Sequence, residues 1–223
     1  MAREITVALA GNPNSGKSTV FNSLTGGRQH VGNWPGKTVE KKEGSLNYQG
    51  YHIKVVDLPG VYSLTASSLD EVIARNFVVE EKPDVVVNIV DASNLERNLY
   101  LTVQLLEMGA RLILALNMMD QAESRRYVID VPRLSQLLGV PLVPMVASRN
   151  HGIEQLLQEI IKIAERKTSA RVLRIEYGRE VEEEVANLES LISQTELSQR
   201  YSPRWLAVKL LEEDEEIIKK FRE

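Results

Sequence analysis

An apolar segment followed by a glycine-rich loop, near the start of the chain, limits the fold most strongly. Residues 5–10 form an uncharged, β-prone run, and residues 11–18 read GNPNSGKS, which matches the pattern G-x-x-x-x-G-K-[ST]. Residues 17–25 favour a helix. Strand, glycine-rich loop and helix in this order are typical of a phosphate-binding loop, or P-loop, in which backbone N–H groups surround phosphate oxygens. The sequence therefore predicts an α/β fold built around this loop.

The loop residues have distinct predicted roles. Lys17 is expected to reach the β- and γ-phosphates, and the Ser18 hydroxyl to bind Mg²⁺. The helix that follows adds the positive end of its dipole. The loop alone does not separate ATP from GTP, or a kinase from a hydrolase. The residues predicted to bind the phosphates are Gly11, Asn12, Pro13, Asn14, Ser15, Gly16, Lys17, Ser18 and Thr19.

A second motif indicates which base is bound. Residues 117–120 read NMMD and follow a buried, β-prone run, so they lie at the edge of the sheet where ligands bind. The Asp120 carboxylate offers two acceptors to the N1–H and 2-amino group of guanine, a donor pair that adenine lacks. Asn117 would brace the loop and contact the base, and the Ser148 N–H would meet the guanine O6. The predicted base-binding residues are Asn117, Met118, Asp120, Ala147, Ser148 and Arg149.

Two segments between these motifs are predicted to respond to the γ-phosphate. Residues 57–60 read DLPG, where Asp57 would hold Mg²⁺ through a water and the Gly60 N–H would contact the γ-phosphate. Thr38 lies in a long loop and would complete the Mg²⁺ coordination only when the γ-phosphate is present. Trp34, in the same loop, either packs over the nucleotide or anchors the loop. The nucleotide-binding residues predicted in this loop are Gly36, Lys37 and Thr38, and the predicted Mg²⁺ ligands are Ser18, Thr38 and Asp57.

The hydrolytic step lacks one expected residue. The motif set resembles the translation-factor class of P-loop GTPases. In Ras-like members, a glutamine directly after the D-x-x-G turn orients the attacking water. In this sequence that position is Val61, whose side chain cannot form a hydrogen bond. Asn14 is the candidate helper, because in similar GTPases it helps to bind a monovalent cation, usually K⁺; the alternative is that Asn14 only shapes the loop. Glu71 is interpreted as an exposed residue on a helix face. The predicted catalytic residues are Asn14, Lys17, Thr38 and Gly60.

Strand-like and helix-like segments alternate along the first 170 residues. This pattern predicts an α/β P-loop GTPase (Ras-like) fold, a mostly parallel six-stranded sheet with helices on both faces. Residues 26–36 are rich in Gly, Asn, His and Pro and are predicted to be a long loop. From Glu176 onward the pattern is Glu-rich and helical, with predicted helices over 179–196, 203–211 and 213–222. The predicted domains are a GTPase domain over residues 1–170 and an all-α helical appendage over residues 171–223.

Composition excludes several other classes of protein. The chain has 223 residues, no cysteine and a formal net charge of −4. A disulfide scaffold, a cysteine-ligated zinc site and a thiol nucleophile are excluded, and the charge argues against general electrostatic binding of nucleic acid. The three histidines have no metal-ligand spacing, so no iron site is expected. Because no apolar run approaches the roughly 18–20 residues of a membrane span and no signal-peptide core is present, the chain by itself is expected to be soluble.

A further segment carries a more specific signal. Residues 90–101 read VDASNLERNLYL, a signature that generic GTPase motifs do not require. With VGNWPG at 31–36 and DLPGVYSL at 57–64, it makes the whole chain similar to the N-terminal cytosolic G-protein part of the ferrous iron transport protein B (FeoB) family. Residues 177–182, YGREVE, resemble the start of that family's helical appendage.

The resemblance implies a GTPase domain on the cytoplasmic face of the cell membrane, coupled to Fe²⁺ uptake through a membrane domain of the same polypeptide. It implies GTP and GDP as ligands, Mg²⁺ and K⁺ as cations, the transporter's own membrane domain as partner, and a helical appendage that favours the GDP-bound state. A homo-oligomer is left open, and no nucleic-acid partner is expected. Lys37, where many relatives have an aliphatic residue, and Ala147-Ser148 depart from the common family pattern.

Two other functions remain as alternatives. A free-standing GTPase of ribosome assembly or RNA modification shares the Asn-Pro-Asn of the P-loop, although the net charge of −4 does not favour an RNA-binding surface. A nucleotide-sensing adaptor without hydrolysis is suggested by the missing glutamine. RNA-dependent stimulation of GTP turnover would favour the first alternative, and absence of turnover would favour the second.

Overall fold

The computed structural model of the chain describes residues 3–165 and 175–222. The strands in these ranges are β1 (Arg3–Gly11), β2 (Gln29–Asn33), β3 (Glu40–Tyr48), β4 (Tyr51–Asp57), β5 (Val85–Asp91), β6 (Leu112–Asn117) and β7 (Leu142–Pro144). The helices are α1 (Lys17–Thr25), α2 (Leu69–Asn76), α3 (Leu95–Glu107), α4 (Met119–Ser124), α5 (Val131–Leu138), α6 (Ile153–Glu165), α7 (Arg179–Ile192), α8 (Leu197–Arg200), α9 (Pro203–Leu211) and α10 (Glu215–Lys220).

The strands form one sheet in the order β2-β3-β4-β1-β5-β6-β7. The four pairings from β4 to β7 are parallel, whereas β2 with β3 and β3 with β4 are antiparallel. The predicted fold class, a mostly parallel sheet with helices on both faces and an all-α part behind it, is confirmed. Because β1, β4, β5, β6 and β7 run in one direction, the loops after them meet at one edge of the sheet, where the candidate site lies.

Alternating side chains along the central strands build two hydrophobic cores. In β1, Ile5, Val7 and Leu9 pack toward α1 and α6, whereas Ala8 and Ala10 pack toward α2, α3 and α5. The central strands β5 and β6 alternate in the same way, so both faces of the sheet are covered. Burial on both faces is the physical reason that these strands appear in the sequence as continuous apolar runs.

The prediction of six strands and of a loop over 26–36 was wrong in one respect. Gln29–Asn33 is a strand, β2, which pairs with the start of β3, and the sheet therefore has seven strands among the described residues. Val31 in β2 is 47% exposed, so the strand is held by backbone hydrogen bonds at the sheet edge and not by burial. An edge strand of this kind carries no apolar alternation that a sequence could reveal.

Helices α4 and α5 were not predicted. Helix α4 begins two residues after β6, at a point where Met118 adopts a left-handed backbone conformation (φ 60°) that no pattern of apolar residues encodes. Helix α5 did have a local signal, since the Asp130 side chain accepts a hydrogen bond from the Arg133 N–H at 2.9 Å and Pro132 lies in its first turn. Helix α2 ends at Asn76 and continues as a π-helical turn over Phe77–Glu81.

The helical part has its own apolar core. Val185 and Ile192 of α7, Trp205 and Leu206 of α9 and other residues form it, together with Val79 from the π-helical turn of the sheet domain. The predicted helix over 203–211 is confirmed, whereas the predicted helix over 179–196 ends at Ile192. The predicted domain boundary at residues 170 and 171 lies outside the described residues. Val79 shows that the two parts share apolar contacts.

Candidate functional site: a nucleotide-binding edge

The P-loop connects β1 to α1 in a conformation that requires glycine at two points. Gly16 has φ 87°, and a Cβ added there would lie 2.2 Å from the Asn117 Nδ2. Gly11 has φ 157°, and a Cβ there would lie 2.6 Å from the Ile89 carbonyl oxygen. Both approaches are impossible for a residue with a side chain, because real Cβ atoms do not come this close to backbone or amide atoms. The glycines of the motif therefore fit the tight wrap that phosphate binding needs.

The loop surrounds a cavity of about 530 Å³. The cavity is lined by Asn12, Pro13, Asn14, Gly16, Lys17, Ser18, Thr19 and Gly60. Seven of these residues belong to the P-loop and the first residues of α1, and the eighth is the glycine of the DLPG segment. The structure thus brings together most of the predicted phosphate-binding residues.

Asn117 ties three loops together at the edge of the sheet. Its side chain is buried, its Nδ2 donates to the Ser15 carbonyl of the P-loop at 2.9 Å, and its Oδ1 accepts from the Ala147 N–H at 3.0 Å. The segment 117–120 and the loop after β7 are therefore held at a fixed distance from the phosphate cavity. The expectation that Asn117 braces this region agrees with these two contacts.

Asp120 lies in the first turn of α4, beside the loop after β7. Its Oδ1 accepts from the Gln121 N–H at 3.0 Å, and its Oδ2 lies 3.8 Å from the Arg149 Nη2. The Asp120 side chain is 36% exposed, and Ser148 and Arg149 are exposed. A carboxylate that is accessible at this edge can receive a pair of N–H donors from a base.

The Mg²⁺ ligands predicted near the P-loop fit the chemistry of that ion. The Lys17 ammonium forms an ion pair with the largely buried Asp57 carboxylate, which places that carboxylate against the P-loop, and Ser18 lines the same cavity. Hydroxyl and carboxylate oxygens are the ligands that Mg²⁺ prefers. In the part of the chain that the structure describes, no three His, Asp or Glu side chains form a group that could hold another metal ion.

The loop between β2 and β3 is the part of the predicted site that lies apart from the cavity. Gly36, Lys37 and Thr38 are exposed, and none of them lines the cavity. Trp34 is buried, with its ring 5.5 Å from the Phe77 ring in an edge-to-face arrangement. Of the two interpretations of Trp34, anchoring of the loop describes this geometry, and the anchor is the end of α2.

The segment after Asp57 is organised by Glu71, whose role the sequence analysis missed. The Glu71 carboxylate accepts from the Ser63 hydroxyl at 2.9 Å, the Thr65 hydroxyl at 3.3 Å and the Ser67 N–H at 2.9 Å. The interpretation as an exposed helix-face residue was therefore wrong, because Glu71 holds the loop that leads into α2. A local signal existed, since Ser68 and Glu71 have the S-x-x-E spacing of a capping box. Val61 is buried, and its N–H donates to the Gly11 carbonyl at 3.3 Å.

The sheet domain and the helical part meet through charged groups as well as apolar ones. Arg75 of α2 pairs with Asp214, Glu80 of the π-helical turn pairs with Lys220 of α10, and the Tyr201 hydroxyl donates to Glu80 at 3.1 Å. The Lys220 ammonium and the Tyr201 hydroxyl keep the pKa of Glu80 below its ordinary value, against the effect of its burial. Helix α2 thus connects the DLPG segment to the helical part.

These features define the class of the protein. A P-loop between a buried strand and a helix and a mostly parallel sheet of this order together describe a P-loop GTPase fold. The all-α part that follows distinguishes the chain from a minimal domain of this class.

Comparison with known proteins identifies the family. Residues 5–160 match the family described as ferrous iron transport protein B, and residues 177–223 match the FeoB cytosolic helical domain. The chain therefore belongs to the FeoB family, as its sequence motifs predicted. No helix in residues 3–165 or 175–222 is long and apolar enough to cross a membrane.

Several relatives are similar over nearly the whole chain. The Fe(2+) transporter FeoB of Escherichia coli K12 is 46% identical over 217 residues, which are 95% of this chain and 27% of that protein. A Porphyromonas gingivalis Fe(2+) transport protein A/Fe(2+) transporter FeoB fusion protein is 46% identical over 96% of this chain and 26% of its own length. The chain thus spans about a quarter of the length of these curated relatives.

Solved structures show the same fold. The cytosolic domain of Thermotoga maritima FeoB in a GDP form has a TM-score of 0.93 and 41% identity, covering 98% of this chain and 85% of that one. The same domain in a GMPPNP form has a TM-score of 0.92. The FeoB G-domain from Methanococcus jannaschii is 55% identical with a TM-score of 0.66, covering 74% of this chain and 99% of that one.

Proposed function

We propose that this chain is the GTP-binding and GTP-hydrolysing regulatory domain of a prokaryotic Fe²⁺ uptake transporter. The single observation that carries the nucleotide part is the position of Asn117, which links the P-loop to the loop after β7 through bonds of 2.9 and 3.0 Å. This linkage supports a base site beside the phosphate cavity, at the same edge of the sheet. Solved relatives in GDP and GMPPNP forms support guanine nucleotides as the ligands.

Within this proposal, the base is selected by Asp120. Guanine presents its N1–H and 2-amino donors to a carboxylate, whereas adenine leaves that carboxylate without a matching donor pair. Ser148 would meet the guanine O6 through its backbone N–H, and Met118, Ala147 and Arg149 would lie beside the base. The Asp120–Arg149 contact of 3.8 Å is long and exposed, so little free energy is lost when a base takes the place of Arg149.

The phosphates would be held by the P-loop N–H groups and Lys17, with Mg²⁺ on Ser18, Thr38 and, through a water, Asp57. The ion neutralises charge on the β- and γ-phosphates when it is bound. The Lys17–Asp57 ion pair puts the Asp57 carboxylate next to the corner of the cavity that Lys17 lines. Thr38 must approach this corner from its exposed loop, which gives the loop its role as a switch that includes Gly36 and Lys37.

Hydrolysis would proceed without a glutamine side chain at position 61. Gly60 and Thr38 would help to orient the attacking water, and Asn14 would help to hold K⁺ beside the phosphates. Asn14 lines the cavity, is exposed, and has a left-handed backbone conformation (φ 66°). A cation there would supply the charge that an arginine supplies in other GTPases.

Coupling to transport would run through α2. The helix follows the DLPG segment, and its Arg75 pairs with Asp214 of the helical part. We place the domain at the cytoplasmic face of the membrane, with the transporter's own membrane domain as partner. The reason is that the similar E. coli protein is a named Fe(2+) transporter, and the residues that match this chain are only 27% of its length. The helical part would favour the GDP-bound state by holding α2.

GTP turnover in K⁺ and in Na⁺ tests the enzymatic part. Wild-type chain should hydrolyse GTP slowly, faster in K⁺ than in Na⁺, and Asn14→Ala should remove the K⁺ effect while GDP affinity changes little. A K⁺ effect that survives Asn14→Ala would refute the cation role. No turnover in either salt would favour the adaptor alternative.

Iron uptake tests the transport part. A cell that lacks its own Fe²⁺ transporter should take up iron when it expresses the reading frame that contains this chain, and Lys17→Ala should abolish that uptake. Uptake that is unchanged in Lys17→Ala would contradict the coupling. RNA-stimulated GTP turnover of the wild-type chain would instead support the ribosome-assembly alternative.

A further inference from the structure

The signature segment at residues 90–101 does not line the nucleotide cavity. It contains the end of β5, a single 3-10 turn over Ala92–Asn94 and the first turn of α3; residues Asp91–Asn98 are here called the signature turn. Generic P-loop motifs do not require this sequence, and the proposed function so far gives it no role. Its contacts lead to α4, the helix that carries Asp120.

Four polar side chains of the signature turn, those of Asp91, Ser93, Asn94 and Asn98, form hydrogen bonds within it. The Asp91 carboxylate accepts from the Ser93 N–H at 2.8 Å, the Ser93 hydroxyl at 2.7 Å and the Asn94 Nδ2 at 2.6 Å. Asn98, which is buried, accepts from the Asp91 N–H at 3.2 Å and donates to the Asn94 carbonyl at 2.9 Å. A closed network of this kind fixes the backbone of the turn, including the carbonyl of Ser93.

The Ser93 carbonyl is the point at which the turn meets α4. Arg125, directly after α4, donates from its Nη1 to that carbonyl at 3.2 Å. Ala92 and Ser93 are buried, as is Ala122 on the inner side of α4. A cation at the C-terminal end of a helix is also favoured by the helix dipole.

Helix α4 is therefore held at both ends. At its start, the Met119 N–H donates to the Met145 carbonyl at 3.2 Å, and Asn117 is fixed by its two loop contacts. At its end, Arg125 is bonded to the signature turn. Since α4 has six residues, loss of the anchor at its end lets the helix rotate about its start, and this rotation changes the direction in which the Asp120 carboxylate in its first turn points.

We propose that the signature turn and Arg125 set the position of Asp120, and that Arg125 is thereby a positioning residue for guanine selection and GDP retention. This inference rests on the proposed guanine-nucleotide function and deepens it. Arg125 acts through Ser93 and α4, and it does not line the phosphate cavity. The family signature is then a scaffold for the base site.

The readout that separates positioning from simple stability is discrimination between GDP and IDP. IDP lacks the 2-amino group, so it forgoes one of the two hydrogen bonds to Asp120 and keeps every phosphate contact. Wild-type chain should bind GDP more tightly than IDP by about tenfold to a hundredfold, the worth of a hydrogen bond to a charged group. Displacing Asp120 should reduce GDP affinity more than IDP affinity. The ratio of GDP affinity to IDP affinity should therefore fall.

The test compares Arg125→Ala, Arg125→Lys and Arg126→Ala on the full chain by competition binding of GDP and IDP, with the GDP dissociation rate measured in parallel. Arg125→Ala should lower the ratio of GDP affinity to IDP affinity by about fivefold, and it should speed GDP release to a similar extent. This is the size of effect expected from the loss of one hydrogen bond. Arg125→Lys keeps a cationic donor, so its ratio should lie between those of Arg125→Ala and the wild type. Arg126→Ala removes the same charge one residue further on without removing the bond to Ser93, and should leave the ratio unchanged.

A second variant tests the turn itself. Ser93→Ala removes one donor to Asp91 and should lower the ratio in the same direction, and its effect should be less than additive with that of Arg125→Ala, because both act through the same carbonyl. An Arg125→Ala chain that keeps the wild-type ratio and GDP release rate overturns the inference and leaves the proposed function standing. A wild-type chain without preference for GDP over IDP overturns both.

Discussion

Arg75 and Asp214, which lie 139 residues apart in the sequence, form a buried ion pair between α2 and the start of α10. The Arg75 Nη1 lies 2.6 Å from the Asp214 Oδ2, and the two side chains are 1% and 5% exposed. The Asp214 Oδ1 also accepts from the Ile217 N–H at 3.1 Å, which caps α10. One carboxylate therefore begins a helix of the helical part and neutralises a buried cation of the sheet domain.

Removing the Asp214 charge should destabilise the chain strongly. Asp214→Asn keeps an oxygen that can cap α10 but leaves the Arg75 guanidinium buried without a counter-charge, so we expect the free energy of unfolding to fall by about 3–5 kcal/mol. The double variant Arg75→Met/Asp214→Asn should recover most of that loss. Urea unfolding of Asp214→Asn, Arg75→Met, the double variant and the wild type measures this, and additive losses in the double variant would show that the pair is not coupled.

Packing of Trp34 on Phe77 should protect the exposed loop that contains Lys37 and Thr38. Phe77→Ala removes the ring that anchors Trp34, so trypsin cleavage after Lys37 should accelerate by about threefold to tenfold, the worth of an aromatic pair. Phe221→Ala, in the helical part, is the matched control and should leave that cleavage rate unchanged. Equal cleavage in Phe77→Ala and the wild type would mean that the loop is ordered by other contacts.

Glu107 should make stability depend on pH. Burial raises the pKa of Glu107 above the ordinary value of 4.5, with Lys209 opposing the rise, and its Oε1 has no hydrogen-bond partner among the described residues. The folded chain therefore binds this proton more tightly than the unfolded chain, so the free energy of unfolding falls as the pH rises from 4.5 through the raised pKa.

Glu107→Gln should remove that fall. The variant should be more stable than the wild type at neutral pH and of equal stability near pH 4, where the glutamate is protonated in both states. Unfolding in urea across this range provides the measurement, and Glu81→Gln, an exposed site, is the control. A difference between Glu107→Gln and the wild type that is the same at both pH values would contradict the assignment.

The sequence predicted those parts of the molecule that depend on local chemistry. Three short segments are of this kind: the P-loop, the DLPG segment and the NMMD motif. In each, a few neighbouring residues supply both the backbone conformation and the functional groups, and Gly16 is an example because only a glycine can approach Asn117 so closely. The central strands were predictable because burial on both faces demands continuous apolar runs. Helix α9 was predictable from Pro203 at its start.

Other features were not predictable because they depend on distant partners. β2 is an edge strand without a buried face, so its pairing with β3 has no counterpart in its apolar pattern. The pairing of Arg75 with Asp214 and the anchoring of α4 by Arg125 join segments that only the folded chain brings together. A structural role for Glu71 could have been predicted from its capping-box spacing. The three groups that donate hydrogen bonds to it, however, lie in a loop of irregular conformation.

The base preference of Asp120→Asn tests most directly whether Asp120 selects guanine in this nucleotide site. The amide presents a donor where the carboxylate presents only acceptors, and it therefore matches xanthine, which carries an oxygen in place of the 2-amino group. Wild-type chain should bind GDP in preference to XDP, and Asp120→Asn should bind XDP in preference to GDP. An Asp120→Asn chain that keeps the wild-type preference for GDP would contradict the placement of the base site.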